Sequence, residues 1–147
     1  MSLDVSLYSK TAISKKGTGV FIRENGNNRE LTISEIQEKY PNAEIEVLEY
    51  ETDCVFQANI THNLGKMATE AGIYYACWRP EEIEAKVAKD IIPLLEKGFE
   101  DMKSKPDYYK QFDSSNGWGI YVDFLPWVEE YLKACKAYPE AEISVSR

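Results

Sequence analysis

The only histidine of the chain, His62, stands among short polar side chains where a helical pattern begins. Asn59, Thr61 and Asn63 surround it, and either Thr61 or Asn59 would cap the helix through a side-chain oxygen. A helix start leaves backbone N–H groups free, so imidazole and amide groups beside it can receive an anion or another polar ligand. A histidine in this position can equally be a structural residue that is hydrogen-bonded within the fold.

Two further segments combine an aromatic side chain with polar groups. Trp78 and Arg79 offer an indole beside a guanidinium, a pair suited to stacking and to binding carboxylate or phosphate. Asn116, Gly117 and Trp118 form a sharply shaped loop around a second indole, which suits the wall of a ligand site. The alternative is structural, with both tryptophans in the core and Arg79 in a surface ion pair.

Residues for familiar catalytic and metal sites are scarce. One histidine and three dispersed cysteines do not match a zinc site of ordinary spacing, so neither a metal nor a cofactor is expected. The chain has no phosphate-binding glycine loop and no H-E-x-x-H motif. His62 is a candidate general acid or base, which would need a carboxylate within hydrogen-bonding distance. The residue content therefore favours binding over catalysis.

Charge and hydropathy exclude several classes of protein. The net charge is −8, from 17 basic and 25 acidic residues, so direct nucleic-acid binding is not expected. No apolar run reaches the roughly 20 residues of a membrane helix, and no basic and then apolar leader opens the chain. Three widely spaced cysteines are typical of a reducing compartment. These features predict a cytoplasmic protein that does not bind membranes.

The first third of the chain is predicted to consist mainly of strands. Residues 3–9 alternate apolar and polar side chains, as in a half-buried strand, and residues 10–19 resemble a polar connector. Residues 20–33 are typical of a hairpin that turns at Asn25-Gly26, because this pair accepts positive φ at both central positions.

The following segment is predicted to contain a short helix and two more strands. Ser34 is the expected cap of the helix. The strands cover residues 43–60, with Ile45 and Val47 alternating in the first and a break at residues 51–53. Acidic side chains recur here and form either a solvated strand face or a ridge for a basic partner. These residues are Glu44, Glu46, Glu49, Glu51 and Asp53.

The second half of the chain has helical periodicity. The predicted elements are helices over residues 62–71, 80–102 and 105–112, a last helix from Asp123, and a closing strand over residues 141–147. Pro93 should kink the second helix, and Pro126 should fall in the first turn of the last one. We therefore predict a single α+β domain over residues 1–147. A small antiparallel or mixed sheet of the N-terminal strands and the C-terminal strand packs against three to four helices.

Four segments together resemble a family of small proteins found in bacteriophages and bacterial genomes. The segments are ANITHNLGKMATEAGIY, WRPEE, NGWGIYVDFLPWVEEYLKAC and ISVSR. The resemblance covers residues 54–147, and it implies that residues 10–52 are a more variable, hairpin-bearing insertion. It implies a phage context, and hence the host cytoplasm, without implying an activity. Phage proteins often interfere with host machinery or sequester its small signalling molecules.

These observations predict a phage-associated intracellular binding protein with a polar and aromatic pocket for a small nucleotide-like or anionic ligand. Two alternatives stay open: an acidic interaction protein that inhibits a host protein, and a small enzyme that uses His62 as general acid or base. The pocket residues should lie in one patch, with His62 partly accessible. They are Asn59, Thr61, His62, Asn63, Trp78, Arg79, Asn116, Gly117 and Trp118.

Overall fold

A computed structural model of the protein describes residues 2–24, 27–44 and 48–147, which form two antiparallel sheets and six α-helices. The strands are β1 (Ser2–Gly17), β2 (Phe21–Glu24), β3 (Asn27–Glu30), β4 (Leu48–Thr61) and β5 (Glu142–Ser146). The helices are α1 (Ile33–Lys39), α2 (Gly65–Glu70), α3 (Tyr74–Trp78), α4 (Ile92–Ser104), α5 (Pro106–Lys110) and α6 (Tyr121–Ala137). The predicted α+β class is confirmed.

The main sheet has the strand order β4-β1-β5, so the N-terminal strand lies between its two partners. Leu3 pairs with Ile60, and Val5 pairs with Ala58 on one side and with Val145 on the other. Directly opposed residues share a face of a sheet, so these apolar side chains all lie on the face that packs against the helices. The terminal strand predicted to return to the sheet does so.

β1 and β4 are longer than the sequence predicts. Residues 10–17, expected to be a connector, continue β1, and residues 51–53, expected to be a break, lie inside β4. The register between the two strands shifts at Tyr8. Beyond this shift most described side chains are exposed, so the apolar alternation that marks a half-buried strand is missing. Both margins of the predicted insertion, residues 10–52, therefore belong to strands of the main sheet.

The predicted hairpin is present as the antiparallel pair β2–β3, with Phe21 opposite Glu30. The predicted turn at Asn25-Gly26 lies outside the described residues. Ile45 and Val47, whose alternation with acidic residues predicted a strand before β4, also lie outside the described residues.

The cap of α1 is Thr32 and not Ser34. Thr32 Oγ1 accepts a hydrogen bond from the Glu35 backbone N–H at 3.2 Å, and Glu35 Oε1 accepts one from the Thr32 backbone N–H at 3.3 Å. This reciprocal capping box satisfies two helix-end donors. The helix therefore begins at Ile33, two residues earlier than predicted.

The long helix predicted over residues 80–102 is interrupted. A 3₁₀ turn covers Pro80–Ile83, and Glu84 then adopts a left-handed conformation with φ of 58°. A left-handed residue cannot continue a right-handed helix, so α4 begins only after a second 3₁₀ turn over Ala88–Asp90. Pro93 consequently falls in the first turn of α4 and causes no kink there, because the missing N–H has no partner in that turn.

α6 begins at Tyr121, two residues before the predicted start, and this places Pro126 inside the helix rather than in its first turn. A proline there leaves the carbonyl oxygen four residues earlier, at Val122, without its helical donor. Both Pro126 and Val122 are exposed, so water can supply the missing hydrogen bond.

The core between the sheet and the helices is rich in aromatic rings. Along α6, Phe124 stacks on Trp127 at 5.9 Å between ring centroids, and Trp127 meets Tyr131 edge-on at 5.7 Å. Tyr131 stacks on Phe56 of β4 at 5.6 Å, and Phe124 contacts Trp78 of α3 at 6.4 Å. Aromatic pairs in such arrangements add to the free energy gained from burial alone.

We expect Gly98→Ala to lower the free energy of unfolding by about 1–3 kcal/mol, the usual cost of overpacking. A Cβ at Gly98 of α4 would overlap Ile73 Cγ2 and come within 2.9 Å of the Ala71 carbonyl oxygen, which is backbone and cannot move aside. Urea unfolding measures the change. Gly65→Ala is the control, because its Cβ would meet only Tyr74 at 3.8 Å; equal stability of the two variants would contradict the prediction.

We expect Glu35 to stabilise the hairpin and α1 only above acidic pH. The hydrogen bond from Arg29 lowers the pKa of Glu35 from 4.5 to about 2, helped by the Thr32 backbone N–H. A lowered pKa in the folded state means that the stabilisation is complete above about pH 4.5 and is lost as the pH falls toward 2. The difference in melting temperature between wild type and Glu35→Gln should therefore shrink across that range. Glu38→Gln, which removes a carboxylate of the same helix outside the capping box, is the control, and an equal trend in both variants would contradict the prediction.

Candidate functional site

The candidate site lies where β4 ends and a 3₁₀ turn (His62–Leu64) leads into α2. Thr61 caps this turn, with its Oγ1 accepting a hydrogen bond from the Asn63 backbone N–H at 3.4 Å. The cap uses the Thr61 side chain in the way the sequence predicts for Thr61 or Asn59. It leaves the side chains of His62 and Asn63 available for other contacts.

His62 is held by a buried tryptophan. The Trp78 Nε1–H donates a hydrogen bond to His62 Nδ1 at 3.0 Å, and Trp78 is only 3% exposed. An indole N–H can only donate, so His62 Nδ1 acts as the acceptor and carries no proton. The neutral imidazole therefore bears its proton on Nε2. His62 itself is partly exposed, and its Nε2–H is a donor that the hydrogen bond with Trp78 does not use.

The loop around Trp118 is tied to the start of the turn. Asn63 Nδ2 donates to the Trp118 carbonyl oxygen at 2.9 Å. Asn116 Oδ1 accepts from the Trp118 backbone N–H at 2.9 Å and from Ser114 Oγ at 2.5 Å. These contacts fix the backbone on both sides of the indole, whose side chain stays 46% exposed. The loop thus presents an aromatic surface that is already in position.

Two glycines give this loop its shape. Gly117 has φ of +78° and Gly119 has φ of +102°, values that other residues rarely adopt. Gly119 also lies against the start of the turn, where a Cβ would come within 3.1 Å of Asn63 Cβ and Thr61 Cγ2. The predicted site residue Gly117 therefore shapes the loop and does not line the cavity described next.

A cavity of about 520 Å³ opens between the Trp118 loop, the end of β4 and the β2–β3 hairpin. The lining residues are Arg23, Thr61, His62, Asn63, Asn116 and Trp118. Arg23 comes from β2, and its Cζ lies 5.8 Å from the centroid of the Trp118 ring, which is a cation–π contact. Among the described residues the lining includes no carboxylate, although the chain as a whole has a net charge of −8.

Arg23 is the functional candidate that sequence reasoning missed. It lies within the segment assigned to a variable insertion, and nothing in its immediate neighbours distinguishes it from a surface arginine. The only signal that could have found it is the hairpin itself, because alternation along β2 places Phe21 and Arg23 on the same face. Where that face packs is not encoded in the local pattern.

Trp78 and Arg79 do not line the cavity. Trp78 lies behind His62, stacked on Tyr74 at 5.5 Å. Arg79 Nε donates to the Tyr74 hydroxyl at 3.4 Å and approaches Glu82 at 3.5 Å. The hydrogen bond with Tyr74 is the main cause that raises the pKa of Arg79. Trp78 thus positions a cavity residue, whereas Arg79 is engaged elsewhere.

Asn59 belongs to a second, smaller cavity of about 160 Å³. Its side chain is buried, and Nδ2 donates to Asp4 Oδ1 at 2.7 Å and to Ser2 Oγ at 2.9 Å. The Asn59 Oδ1 atom has no hydrogen-bond partner among the described residues. The residues that line this cavity are Asp4, Phe21, Gln57, Ala58 and Asn59.

The acidic ridge that the sequence suggests is partly visible. Glu44, Glu49, Glu51 and Asp53 are exposed, the last three along β4, and Glu46 lies outside the described residues. Binding of a host protein through this surface stays a prediction. Within residues 2–24, 27–44 and 48–147 no cluster of histidine, cysteine and carboxylate side chains is arranged to hold a metal ion. In the same ranges no helix combines the length and apolar character needed to cross a bilayer.

We expect Trp78→Phe to change the protonation pattern of His62. The phenyl ring keeps an aromatic side chain in the core but removes the N–H that donates to Nδ1, so the neutral ring should become a mixture of tautomers. Long-range ¹H–¹⁵N NMR at a pH where imidazole is neutral reads this directly, because His62 is the only histidine. Trp127→Phe is the control, since the buried Trp127 Nε1 has no partner among the described residues. An unprotonated Nε2 in the wild type would contradict the prediction.

Comparison of the chain with protein-family models, with curated proteins and with solved structures found no match. The resemblance to phage and bacterial proteins therefore stays a prediction. What the protein binds has to be inferred from the side chains that line the cavity.

Proposed function

We propose that the protein binds a small anionic ligand of the nucleotide type in the cavity between the Trp118 loop, the end of β4 and the hairpin. The observation that carries this proposal is the combination of Arg23 and His62 in a cavity whose described lining has no carboxylate. Both side chains are hydrogen-bond donors there. A cavity lined by donors, with no carboxylate among the described lining residues, favours an anion even in a strongly acidic chain.

Arg23 supplies the charge for this binding. A guanidinium offers paired donors that match the oxygens of a phosphate or a carboxylate, so one arginine can hold such a group in a defined orientation. The Trp118 ring, 5.8 Å from Arg23 Cζ, restricts the positions that the guanidinium occupies. Less conformational freedom is then lost when the ligand binds.

Trp118 supplies the surface for the rest of the ligand. Its indole is 46% exposed, while its backbone is fixed by hydrogen bonds from Asn63 and to Asn116. An exposed aromatic ring packs closely against the part of a ligand that lies next to its anionic group. The cavity volume of about 520 Å³ falls within the range typical of small-ligand sites.

The environment of His62 favours binding over acid–base catalysis. A catalytic histidine usually donates its Nδ1–H to a carboxylate or a carbonyl, which leaves Nε2 unprotonated and able to accept a proton. Here the Trp78 indole donates to Nδ1, so the neutral ring has the opposite tautomer and Nε2 is a donor. His62 is therefore suited to hold an oxygen atom of the ligand and not to remove a proton from it.

We expect Arg23→Gln to weaken nucleotide binding by about ten- to a hundredfold, the range for losing a hydrogen bond to a charged group. Isothermal titration with nucleoside monophosphates and diphosphates, and with inorganic phosphate as the smallest probe, measures the dissociation constants. Arg79→Gln is the matched control, because it removes the same charge from a partly exposed arginine outside the cavity. The affinity of the Arg79→Gln variant for nucleotides should stay within about twofold of the wild-type value.

Two results would overturn the proposal. The first is that no nucleotide or phosphate in the panel binds, as judged by both titration and thermal shift. The second is that Arg23→Gln and Arg79→Gln weaken binding equally, because the effect would then come from overall charge and not from the cavity. Trp118→Ala gives an independent check, because it should lower the affinity for nucleotides by more than it lowers the affinity for inorganic phosphate.

A further inference from the structure

The two cavities lie side by side along the cleft between β2 and β4. On β2, Phe21 lines the smaller cavity and Arg23 the larger one; on β4, Asn59 lines the smaller and Thr61 the larger. Residues two apart along a strand point to the same face and are separated by about 6.6–6.8 Å. On each strand the residue that lines one cavity is two positions from the residue that lines the other. The two cavities are therefore close enough for a single extended ligand to contact both.

The smaller cavity has the opposite chemistry to the larger one. Asn59 is 6% exposed, and its Oδ1 is a buried acceptor with no donor among the described residues. The Asp4 carboxylate accepts the hydrogen bond from Asn59 Nδ2, and its oxygens are further acceptors in the lining of this cavity. A buried acceptor that lacks a donor is costly, and a ligand N–H placed against it removes that cost.

Phe21 completes the smaller cavity with an aromatic surface. It is 64% exposed, an unusually high value for a large apolar side chain, and it contributes to the lining beside Asp4 and Gln57. An exposed ring next to acceptor oxygens suits a flat group that bears amino hydrogens at its edge, because the ring covers the face while the oxygens meet the edge.

We infer that the ligand carries an amino group on its base, which the smaller cavity binds while the larger cavity holds the anionic group. This inference rests on the proposed function and narrows the ligand class to nucleotides with an exocyclic amino group. Asn59 Oδ1 and the Asp4 carboxylate accept the amino hydrogens, and Phe21 covers the base. Arg23 and His62 bind the phosphate. The two cavities then bind opposite ends of one molecule.

Matched pairs of nucleotides test the inference. In IMP and UMP the exocyclic amino group of AMP and CMP is replaced with an oxygen, and the adjacent ring nitrogen carries a proton. We expect AMP and CMP to bind wild-type protein about tenfold more tightly than IMP and UMP, the effect of one added hydrogen bond. Asp4→Asn should reduce this preference while leaving the affinity for IMP and UMP nearly unchanged. Asp107→Asn, the same change at an exposed position on α5, should leave the preference intact.

Phe21→Ala keeps the test valid if Asp4→Asn disturbs the sheet, because Phe21 is exposed and outside the core. This variant should bind all four nucleotides several-fold more weakly than the wild type, and its melting temperature should be unchanged. Equal binding of amino and oxo nucleotides, with Arg23→Gln still weakening both, would overturn this inference and leave the proposed function standing. If none of the four nucleotides binds, this inference is overturned; the proposed function is overturned with it only if the diphosphates and inorganic phosphate also fail to bind.

Discussion

The hydrogen bond from the Trp78 indole to His62 Nδ1 connects the interior of the protein to the cavity at its surface. Trp78 is buried between the rings of Tyr74 and Phe124, and its N–H needs an acceptor because water cannot reach it freely. His62 provides that acceptor at 3.0 Å. The position and the tautomer of His62 therefore follow from the packing of the aromatic core. A separate set of surface contacts is not required to hold the imidazole in place.

At the end of β4, the side chains on one face of the strand pack in the core, and those on the other face border the two cavities. The side chains of Ala58 and Ile60 lie on the face that packs against the helices, whereas those of Asn59 and Thr61 lie on the opposite face, which borders the cavities. Because side chains alternate with a period of two, a shift of register by one residue would exchange the two sets. The same pairing that stabilises the sheet thus fixes which polar groups face the cleft.

Periodicity predicted those elements in which one face is buried. The turn and helix after β4 bury Leu64 and Met67 at helical spacing, and the closing strand pairs with β1, both as expected. The same reasoning failed over residues 10–17, where the outer part of β1 has no buried face to set a pattern. It also failed at Glu84, whose left-handed backbone ends a helical pattern that the side chains alone would have continued.

The sequence by itself determined the local features of the candidate site. The cap at the start of the turn and the glycine-shaped loop next to Trp118 depend on residues close together in the chain, so their residue types predicted the loop and narrowed the cap to Thr61 or Asn59. Only the tertiary structure decided that Arg23 reaches the Trp118 ring and that Arg79 is engaged with Tyr74 instead. The contact between Arg23 and Trp118 joins parts of the chain that are distant in sequence, and it depends on where the hairpin packs. Packing of that kind minimises the free energy of the whole fold, and no local spacing of residues encodes it.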